Sequence, residues 1–465
     1  MTEVVSVAPA RLSDVIGRGA MLSHWWLRSL AVLLLLYAVF GKGSAYIGVG
    51  PLYVGEMVLG LGLLLVAAQG VDRRLITEPT NAFLLLFICW GAALTVPNIP
   101  VYGLTALRDA ALWGYGIFAL LVATALGRTA NPVRAVTGFL RMYAPCVLVG
   151  APLVYLSGKA FDGQVPSWPG SEYHLLYHKP GDVMVHLALV YAAAVNGAMP
   201  WSLRWAFPLA LAAVCVAPFN RGGVVVLLAV GFTAVIPRHA NRRWPFLIAS
   251  TSIALIALLA LTGMRIELSD FNHREISFQQ ITENISSLVG GEATGNQHDN
   301  VRWRLQWWDA IVERLPEQGR EWTGIGFGPH IARDFGVIYT PIDARSPHNV
   351  WMTIYARMGF IGIFLWLGLL LAWFHRVASR IGRARAEGEY QRSALLIVAM
   401  LGMLGFLINA SVDIFLEGPV GGIWFWCLIG AGLALAAPTP SGPNQVPDKE
   451  GSVSVMDVPE KHRHG

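Results

Sequence analysis

The chain has 465 residues, of which 55% are hydrophobic and only 14% are charged. A soluble protein of this length has nearer a quarter charged residues, so the composition excludes an ordinary soluble enzyme and indicates a membrane protein. The net charge of +5 comes from basic segments between apolar stretches. That pattern reports membrane orientation, and it gives no reason to expect nucleic acid as a partner.

Apolar stretches recur along almost the whole chain. A bilayer core about 30 Å thick requires roughly 20 apolar residues per helix. The pattern predicts an all-α membrane protein with roughly twelve transmembrane helices, although several stretches are short and one adjacent pair is compatible with a re-entrant element. In chain order the predicted spans are 27–40, 52–68, 81–96, 109–126, 137–156, 182–198, 204–218, 222–236, 245–263, 349–374, 393–410 and 420–436.

These spans divide the chain into five parts. We expect a cytoplasmic N-terminal segment (1–26), nine spans (27–263), a large periplasmic loop (264–347, here termed the outer loop), three further spans (348–436) and a disordered cytoplasmic tail (437–465). The first apolar run lacks a small-residue cleavage site, so we interpret it as a retained span. All four cysteines fall inside predicted spans, which predicts neither a disulfide framework nor a Cys-x-x-Cys metal site.

Basic residues determine the predicted orientation, because Lys and Arg accumulate on the cytoplasmic side. If the spans alternate, every basic connection falls on one side of the membrane. Both termini are then cytoplasmic, and the outer loop lies on the opposite face. The basic residues concerned are Arg11, Arg18, Arg73, Arg74, Arg128, Arg134, Arg238, Arg242, Arg243 and the Arg-rich stretch 375–392.

The outer loop has signals of local order. Asp299 or Asn300 is suited to cap a helix that begins near Val301. A glycine-rich turn (323–328) follows this helix. The residues that recur at helical spacing are Leu305, Trp308, Val312 and Leu315.

Two arginines of this predicted helix lie on different faces. Arg304 stands four residues before Trp308, at the edge of the apolar stripe, which favours a directed role. Arg302 aligns with Asp309 and other polar residues, where solvation is the ordinary interpretation, so it is a secondary candidate.

Two further cations are predicted at the outer face. Arg221, in Asn220-Arg221-Gly222-Gly223, joins two apolar spans with almost no loop. An arginine at membrane depth usually marks function, although snorkelling to the headgroups is the alternative. Lys179 precedes the span that begins near Asp182, where it is suited to contact phosphate.

His348 is the candidate base. Ser346 is suited to be the N-cap of the tenth span, with Pro347 at its first position, which places His348 in the first turn. The positive end of the helix dipole disfavours imidazolium there, and a general base must be neutral. The alternative is an interfacial histidine without a role.

The three candidates Arg221, Arg304 and His348 map to one face. Paired guanidiniums suit a diphosphate, because the planar fork binds oxyanions bidentately. A base beside a diphosphate suggests transfer of a group from a phosphorylated lipid carrier to a hydroxyl, with the leaving group stabilised by arginines rather than by a metal.

The remaining polar residues identify no reaction by themselves. Glu56, Arg108 and Asp109 are candidates for a charge cluster. Asp413 and Glu417 fall in a short outer loop, and His186 is interpreted as a packing or hydrogen-bonded histidine. Arg357, well inside the tenth span, requires a partner or water.

The chain resembles the O-antigen ligase and O-antigen polymerase superfamily of bacterial envelope glycosyltransferases. The resemblance covers roughly the second half of the chain. The first half matches mainly in hydropathy and in Tyr46-Ile47-Gly48 followed by Glu56. The segments that carry the resemblance are Asn220-Arg221-Gly222-Gly223, Arg304-Leu305-Gln306-Trp307-Trp308, Gly324-Ile325-Gly326-Phe327-Gly328, and His348-Asn349 with Gly359 and Gly362.

The resemblance implies a GT-C-like glycosyltransferase of the bacterial inner membrane that uses an undecaprenyl-diphosphate-linked glycan at the periplasmic face. Arg221 and Arg304 would hold the diphosphate, and His348 would deprotonate the acceptor hydroxyl. Asn349, Arg302 and Lys179 would be secondary. Arg302 is the alternative to Arg304 as the family arginine, and Arg304 is preferred because it stands four residues before Trp308 on the apolar side. The chemistry implied is inverting, without metal or other cofactor. Arg357 departs from the family pattern, which often has Glu there.

Polymerase and ligase remain open, because the two share these motifs. The acceptor is accordingly either a growing glycan or lipid A–core. A transporter or flippase of envelope precursors is the alternative class, and it predicts internal repeats and broken helices at mid-membrane. A peptidoglycan polymerase and a non-catalytic scaffold are further alternatives.

Overall fold

The computed structural model describes residues 10–70, 78–169, 171–199, 201–237, 240–267, 275–288, 296–337 and 345–438. Helices dominate these ranges, and strands form two short hairpins. The α-helices are Ala10–Phe40, Lys42–Ala45, Val54–Gln69, Pro79–Thr95, Ile99–Tyr102, Leu104–Asp109, Ala111–Gly114, Ile117–Gly127, Pro132–Ala160, Pro180–Val195, Ala206–Val216, Arg221–Ala234, Arg243–Thr262, Phe278–Leu288, Asn296–Glu317, Ile331–Asp334, Val350–Ala386, Tyr390–Ala410 and Pro419–Ala436. Short 3₁₀ turns are Val96–Asn98, Leu203–Trp205 and Ala217–Phe219.

Both hairpins are antiparallel and two-stranded. Gly48–Val49 pairs with Leu52–Tyr53, with Gly48 opposite Tyr53. Ile266–Glu267 pairs with Glu275–Ile276, with Ile266 opposite Ile276. The all-α membrane class predicted from the sequence therefore agrees with the described residues.

Seven of the described helices are long and apolar enough to cross a membrane. Five shorter apolar helices coincide with the other predicted spans, so the number of spans stays a prediction. The seven are Met21–Phe40, Pro79–Tyr102, Pro132–Ala160, Arg243–Thr262, Val350–Ala386, Tyr390–Ala410 and Pro419–Ala436. The shorter five are Val54–Gln69, Ala111–Gly127, Pro180–Val195, Leu203–Phe219 and Arg221–Ala234.

Several predicted boundaries differ from the structure. The first helix already begins at Ala10, inside the segment predicted to precede the spans. The helix predicted to start near Val301 begins at Asn296. The predictions rested on apolar residues, whereas backbone hydrogen bonding extends a helix through polar sequence as well. The predicted tail lies outside the described residues from 439 onward.

Two contacts join segments at or near the predicted basic connections. Arg128 Nη2 donates to the carbonyl of Gly70 at 2.6 Å. Gln391 Nε2 donates to Thr137 Oγ1 at 3.1 Å, close to the other basic connections. At the opposite end, Lys179 meets Asp413. The orientation of the chain in the membrane stays a prediction.

The helix Pro180–Val195 is the centre of the bundle. Its residues from Gly181 to Val195 are all buried, as expected for a helix that is apolar on every side. His186 lies within it, with Nδ1 2.9 Å from the hydroxyl of Tyr143 and its ring against Trp424. The interpretation of His186 as a hydrogen-bonded packing residue fits this geometry.

The helix Val350–Ala386, here termed the kinked helix, breaks at Gly359. This glycine has φ 64° and ψ −163°, outside the helical region. The glycine-rich turn inserts at the break, where Ile325 N–H donates to Ala356 O at 2.8 Å and Gly326 N–H to Arg357 O at 3.0 Å. Beyond the break, Phe360 N–H donates to Glu321 O at 2.8 Å. The loop thus replaces hydrogen bonds that the kink removes, as buried backbone groups require.

The helix Asn296–Glu317, here termed the loop helix, packs on the kinked helix. Trp307, Ile311 and Leu315 are fully buried, and they contact Tyr355 and Ala356. The predicted stripe is partly wrong, because Leu305 and Val312 are about half exposed. Each large buried side chain of this second core contributes about 1.5–3 kcal/mol. The outer loop is therefore anchored on the bundle.

Candidate active site

The segment 345–349, here termed the histidine strap, precedes the kinked helix. Asn349 is the N-cap, and its side chain accepts the N–H of Trp351 at 2.9 Å and of Met352 at 3.3 Å. The predicted cap at Ser346 is wrong, since the Ser346 hydroxyl donates to Glu417 Oε1 at 2.5 Å instead. His348 consequently lies just before the helix rather than in its first turn.

His348 has a strained backbone. Its φ of 56° makes it the only non-glycine residue with positive φ in the part of the chain that the structure describes. Such a conformation costs about 1–3 kcal/mol and persists only where surrounding contacts impose it. Here Trp308 Nε1 donates to the carbonyl of Pro347 at 2.8 Å, and Asn349 caps the next helix. The imidazole packs edge-to-face against Trp303.

Asp413 connects His348 to Lys179. It belongs to the segment 411–418, here termed the aspartate loop, which joins the helices Tyr390–Ala410 and Pro419–Ala436. Lys179 Nζ donates to both carboxylate oxygens, at 2.8 and 2.9 Å. His348 Nδ1 lies 3.6 Å from Asp413 Oδ1, slightly beyond hydrogen-bond distance. The sequence singled out Asp413 only as a polar loop residue, and no spacing indicates that it meets Lys179.

The electrostatics of this triad favour a neutral imidazole. Burial lowers the pKa of His348, and Arg304 and Lys179 lower it further, while Asp413 opposes them. Burial by itself would raise the pKa of Asp413, but Lys179 and His348 hold it well below its usual range. For Lys179, burial acts to lower the pKa and Asp413 outweighs it, so the pKa is raised. At neutral pH the lysine and aspartate are thus an ion pair beside a neutral histidine.

Arg304 reaches the aspartate loop. Its Nη1 donates to the carbonyl of Val412 at 2.7 Å. Burial lowers the pKa of Arg304, and Asp413 acts in the opposite direction. This contact directs the guanidinium to the aspartate loop, and the diphosphate-binding role of Arg304 stays a prediction. Arg302 is exposed on the other face of the loop helix.

The segment that begins with Arg221 adjoins the same loop from another helix. It is the first residue of the helix Arg221–Ala234, whose N-cap Asn220 accepts the N–H of Gly223 at 2.6 Å. A Cβ at Gly222 would lie 2.8 Å from Cγ2 of Val412. Val412 therefore contacts both arginine-bearing segments, and the absence of a side chain at Gly222 permits that approach.

Lys42 is a second lysine near the Lys179–Asp413 pair, and the sequence analysis did not identify it. Its ammonium lies 4.9 Å from the centre of the Tyr173 ring. Burial lowers its pKa to about 8, Lys179 acts in the same direction, and Asp413 opposes. Lys42 thus adds positive charge near the Lys179–Asp413 pair.

A separate ion network holds the other side of the histidine strap. Arg357 is buried and its Nη2 donates to Asp109 Oδ2 at 2.8 Å, which supplies the partner that its position requires. Arg345, in the strap, donates to the same oxygen at 3.0 Å. Arg108 and Asp109 interact as the sequence suggested, but Glu56 instead accepts from Tyr115.

Within the described ranges, no group of three or more His, Cys, Asp or Glu side chains is arranged to hold a metal ion. The expected metal independence stays a prediction.

Comparison with known proteins gives one match. Residues 206–367 match the family model described as O-antigen ligase. This segment is similar to the O-antigen ligase and polymerase superfamily. It contains both candidate arginines, the histidine and its capping asparagine, whereas Lys179 and Asp413 lie on either side of it in the chain. No curated protein matches the chain.

The O-antigen ligase match and the apolar helices together indicate a membrane glycosyltransferase of the ligase or polymerase type. This agrees with the resemblance drawn from the motifs of the second half of the chain.

Proposed function

We propose that the protein transfers a glycan from an undecaprenyl-diphosphate carrier to a hydroxyl acceptor at the periplasmic face of the bacterial inner membrane. The supporting observation is the meeting of His348, the Lys179–Asp413 pair and the Arg304 guanidinium around one short loop. The segment that begins at Arg221 adjoins this loop. A base beside several cations suits group transfer from a diphosphate.

His348 is the proposed general base. Its Nδ1 faces Asp413, so Nδ1 carries the proton and Nε2 is available to accept one. Nε2 takes the proton of the acceptor hydroxyl while the hydroxyl oxygen forms a bond to the anomeric carbon of the donor sugar. Asp413 stabilises the imidazolium that results. Attack opposite the diphosphate inverts the configuration at that carbon.

The arginines stabilise the leaving group. The bond between the anomeric carbon and the diphosphate oxygen breaks, and its electron pair departs on the diphosphate. Arg304 and Arg221 balance that developing charge by charge-assisted hydrogen bonds. Lys179 is already paired with Asp413, so we assign it to positioning the carboxylate rather than to phosphate. Fixed positive groups replace a metal ion in this scheme.

A polymerase and a ligase fit this geometry equally. The transporter alternative has no comparable support, although it predicts a broken helix. The break at Gly359 is occupied by the glycine-rich turn, whose backbone pairs with the freed groups. It therefore offers no obvious place for a transported ion or substrate.

Complementation of a strain that lacks this gene tests the proposal. Variants His348→Ala, Arg221→Ala and Arg304→Ala are compared with Arg302→Ala, a matched control because Arg302 is exposed on the same helix as Arg304. Loss of a general base lowers the rate by about 10²–10⁴-fold. We expect all four variants in the membrane, with lipid-linked glycan accumulating only in the first three.

The accumulated material distinguishes the two activities. Single repeat units on the carrier indicate a polymerase, and long chains on the carrier indicate a ligase. If the three variants complement as well as the control does, the assignment of these residues is wrong.

A further inference from the structure

The Asp109 carboxylate is shared by three arginines. Its Oδ1 accepts from Arg108 at 3.1 Å. Its Oδ2 accepts from Arg345 at 3.0 Å and from Arg357 at 2.8 Å. Only 8% of the Asp109 side chain is exposed. One largely buried anion thus has three cations around it.

Neighbouring carboxylates do not remove the imbalance. Glu417 interacts electrostatically with Arg357, but it accepts hydrogen bonds from the hydroxyls of Ser346 and Thr353. Asp334, an exposed residue, interacts electrostatically with Arg345 and Arg357, but also with Arg320 and His330. Hydrogen bonds from three guanidiniums therefore converge on the single carboxylate of Asp109, which leaves a positive excess around it. A local excess of positive charge favours binding of an anion.

Arg108 presents this excess at the surface. Its side chain is 60% exposed. It lies on the short helix Leu104–Asp109, where Leu104 and Leu107 precede it by four and one residues and are 62% and 50% exposed. Residues 104, 107 and 108 share one helix face, because residues three and four apart are neighbours. We term these three residues the arginine–leucine face.

The arginine–leucine face adjoins a candidate membrane span. It follows directly after Pro79–Tyr102. A Cβ at Gly328, in the glycine-rich turn, would lie 2.7 Å from Cβ of Tyr102, so this end of the span meets the outer loop. Exposed leucines beside an exposed arginine at the end of a span match a lipid, with apolar chains below an anionic headgroup.

We propose that the arginine–leucine face binds a phosphate-bearing lipid of the outer leaflet. Arg108 contacts the phosphate, Arg345 and Arg357 add positive charge from behind, and the lipid chains lie against Leu104 and Leu107. The inference uses the topology of the proposed function, but it does not depend on the proposed transfer reaction.

Lipid titration of the purified full-length protein tests this inference. The probe is short-chain phosphatidylglycerol, added to protein in a nonionic detergent, and binding is measured by native mass spectrometry. Arg108→Gln removes a charge-assisted contact and is expected to weaken binding about tenfold. Arg302→Gln, an exposed arginine of the loop helix, is the matched control and retains wild-type binding.

Two further arms separate a lipid from free phosphate. Leu107→Ser is expected to weaken lipid binding about fivefold by removing apolar contact, and inorganic phosphate is expected to compete poorly. If Arg108→Gln binds the lipid as the wild type does, the site is overturned. If Leu107→Ser has no effect and inorganic phosphate competes well, the face binds free phosphate and the lipid assignment is overturned. Because no transfer is measured, failure of the proposed function leaves this result unaffected.

Discussion

Asp413→Asn tests the centre of the candidate active site, because this carboxylate contacts both Lys179 and His348. The amide preserves the shape and removes the charge. Lys179 is then a cation without its carboxylate, and both side chains are largely buried at 18% and 17% exposure. Removing one partner of a buried ion pair costs about 3–5 kcal/mol, and the residual exposure here places the expected loss near the lower value.

The rate is expected to fall more than the stability loss explains. Without the carboxylate near Nδ1, His348 is neither oriented nor stabilised as imidazolium, so we expect kcat to fall by about 10²-fold or more. Asp413 acts to raise the pKa of His348, while burial lowers it. The wild-type rate therefore rises with pH through a value below the ordinary histidine pKa of about 6.5. In Asp413→Asn this inflection moves lower still.

The assay is glycan transfer in membrane vesicles, supplied with lipid-linked donor and followed across pH. Asp309→Asn, on the exposed face of the loop helix, is the matched control. The double variant Lys179→Met with Asp413→Asn removes the buried charge, so it is expected to regain stability but not rate. A wild-type rate and pH profile for Asp413→Asn at a normal membrane level would refute the reasoning.

Three further changes address the supports of the site. Gly359→Ala places a Cβ 2.2 Å from the carbonyl carbon of Trp322. We expect the free energy of unfolding to fall by at least about 2 kcal/mol, measured as a lower Tm in detergent. An unchanged Tm would contradict the role of the kink. Asn349→Ala removes the helix cap, so we expect the free energy of unfolding to fall by about 1 kcal/mol and the activity to fall as well. Asn349→Asp keeps a capping oxygen and is expected to retain stability and activity. Equal activity of the two variants would argue against a role for the cap. Asp109→Asn leaves Arg357, which is 3% exposed, without its carboxylate. We expect the free energy of unfolding to fall by about 3–5 kcal/mol in a denaturant titration. A loss below about 1 kcal/mol would show that the network does not behave as a buried ion pair.

Part of the site follows from local sequence. Arg221 was predicted because two apolar stretches meet there with almost no loop, so the residue had to lie near a membrane face. Arg304 was predicted because it falls on the apolar side of its helix, four residues before Trp308. Both inferences use only helical periodicity and span alternation. In the structure the Arg304 guanidinium contacts the carbonyl of Val412, and Gly222, the residue after Arg221, packs against the Val412 side chain.

The N-terminus of the kinked helix shows where local signals fail. Ser346 before Pro347 and Asn349 before Val350 are both acceptable caps. The choice is made by a distant residue, since Glu417 accepts the hydroxyl of Ser346. Asn349 is then the remaining cap, and His348 falls in the connection. A tertiary contact has decided between two local solutions of similar quality.

The role of Asp413 has a similar origin. It pairs with Lys179 across 234 residues of sequence, and no spacing within either segment encodes that contact. The kink at Gly359 was equally hidden, because glycine is frequent in membrane helices and usually leaves them straight. Only the docking of the glycine-rich turn reveals that this glycine is non-helical.

The outer loop supports both candidate arginines from its two halves. In the first half, Asn284 Nδ2 donates to the carbonyl of Pro218 at 2.6 Å, which holds the 3₁₀ turn just before Arg221. In the second half, burial of Trp307 fixes the loop helix that carries Arg304.

The position of Arg221 therefore depends on the outer loop as well as on its own helix, and Arg304 lies on the outer loop itself. A change in the first half, such as Asn284→Ala, is expected to disturb Arg221 and leave the contact of Arg304 with Val412 intact. Because charge-assisted contacts to one diphosphate need both guanidiniums together, such a variant should resemble Arg221→Ala in activity while keeping the second core.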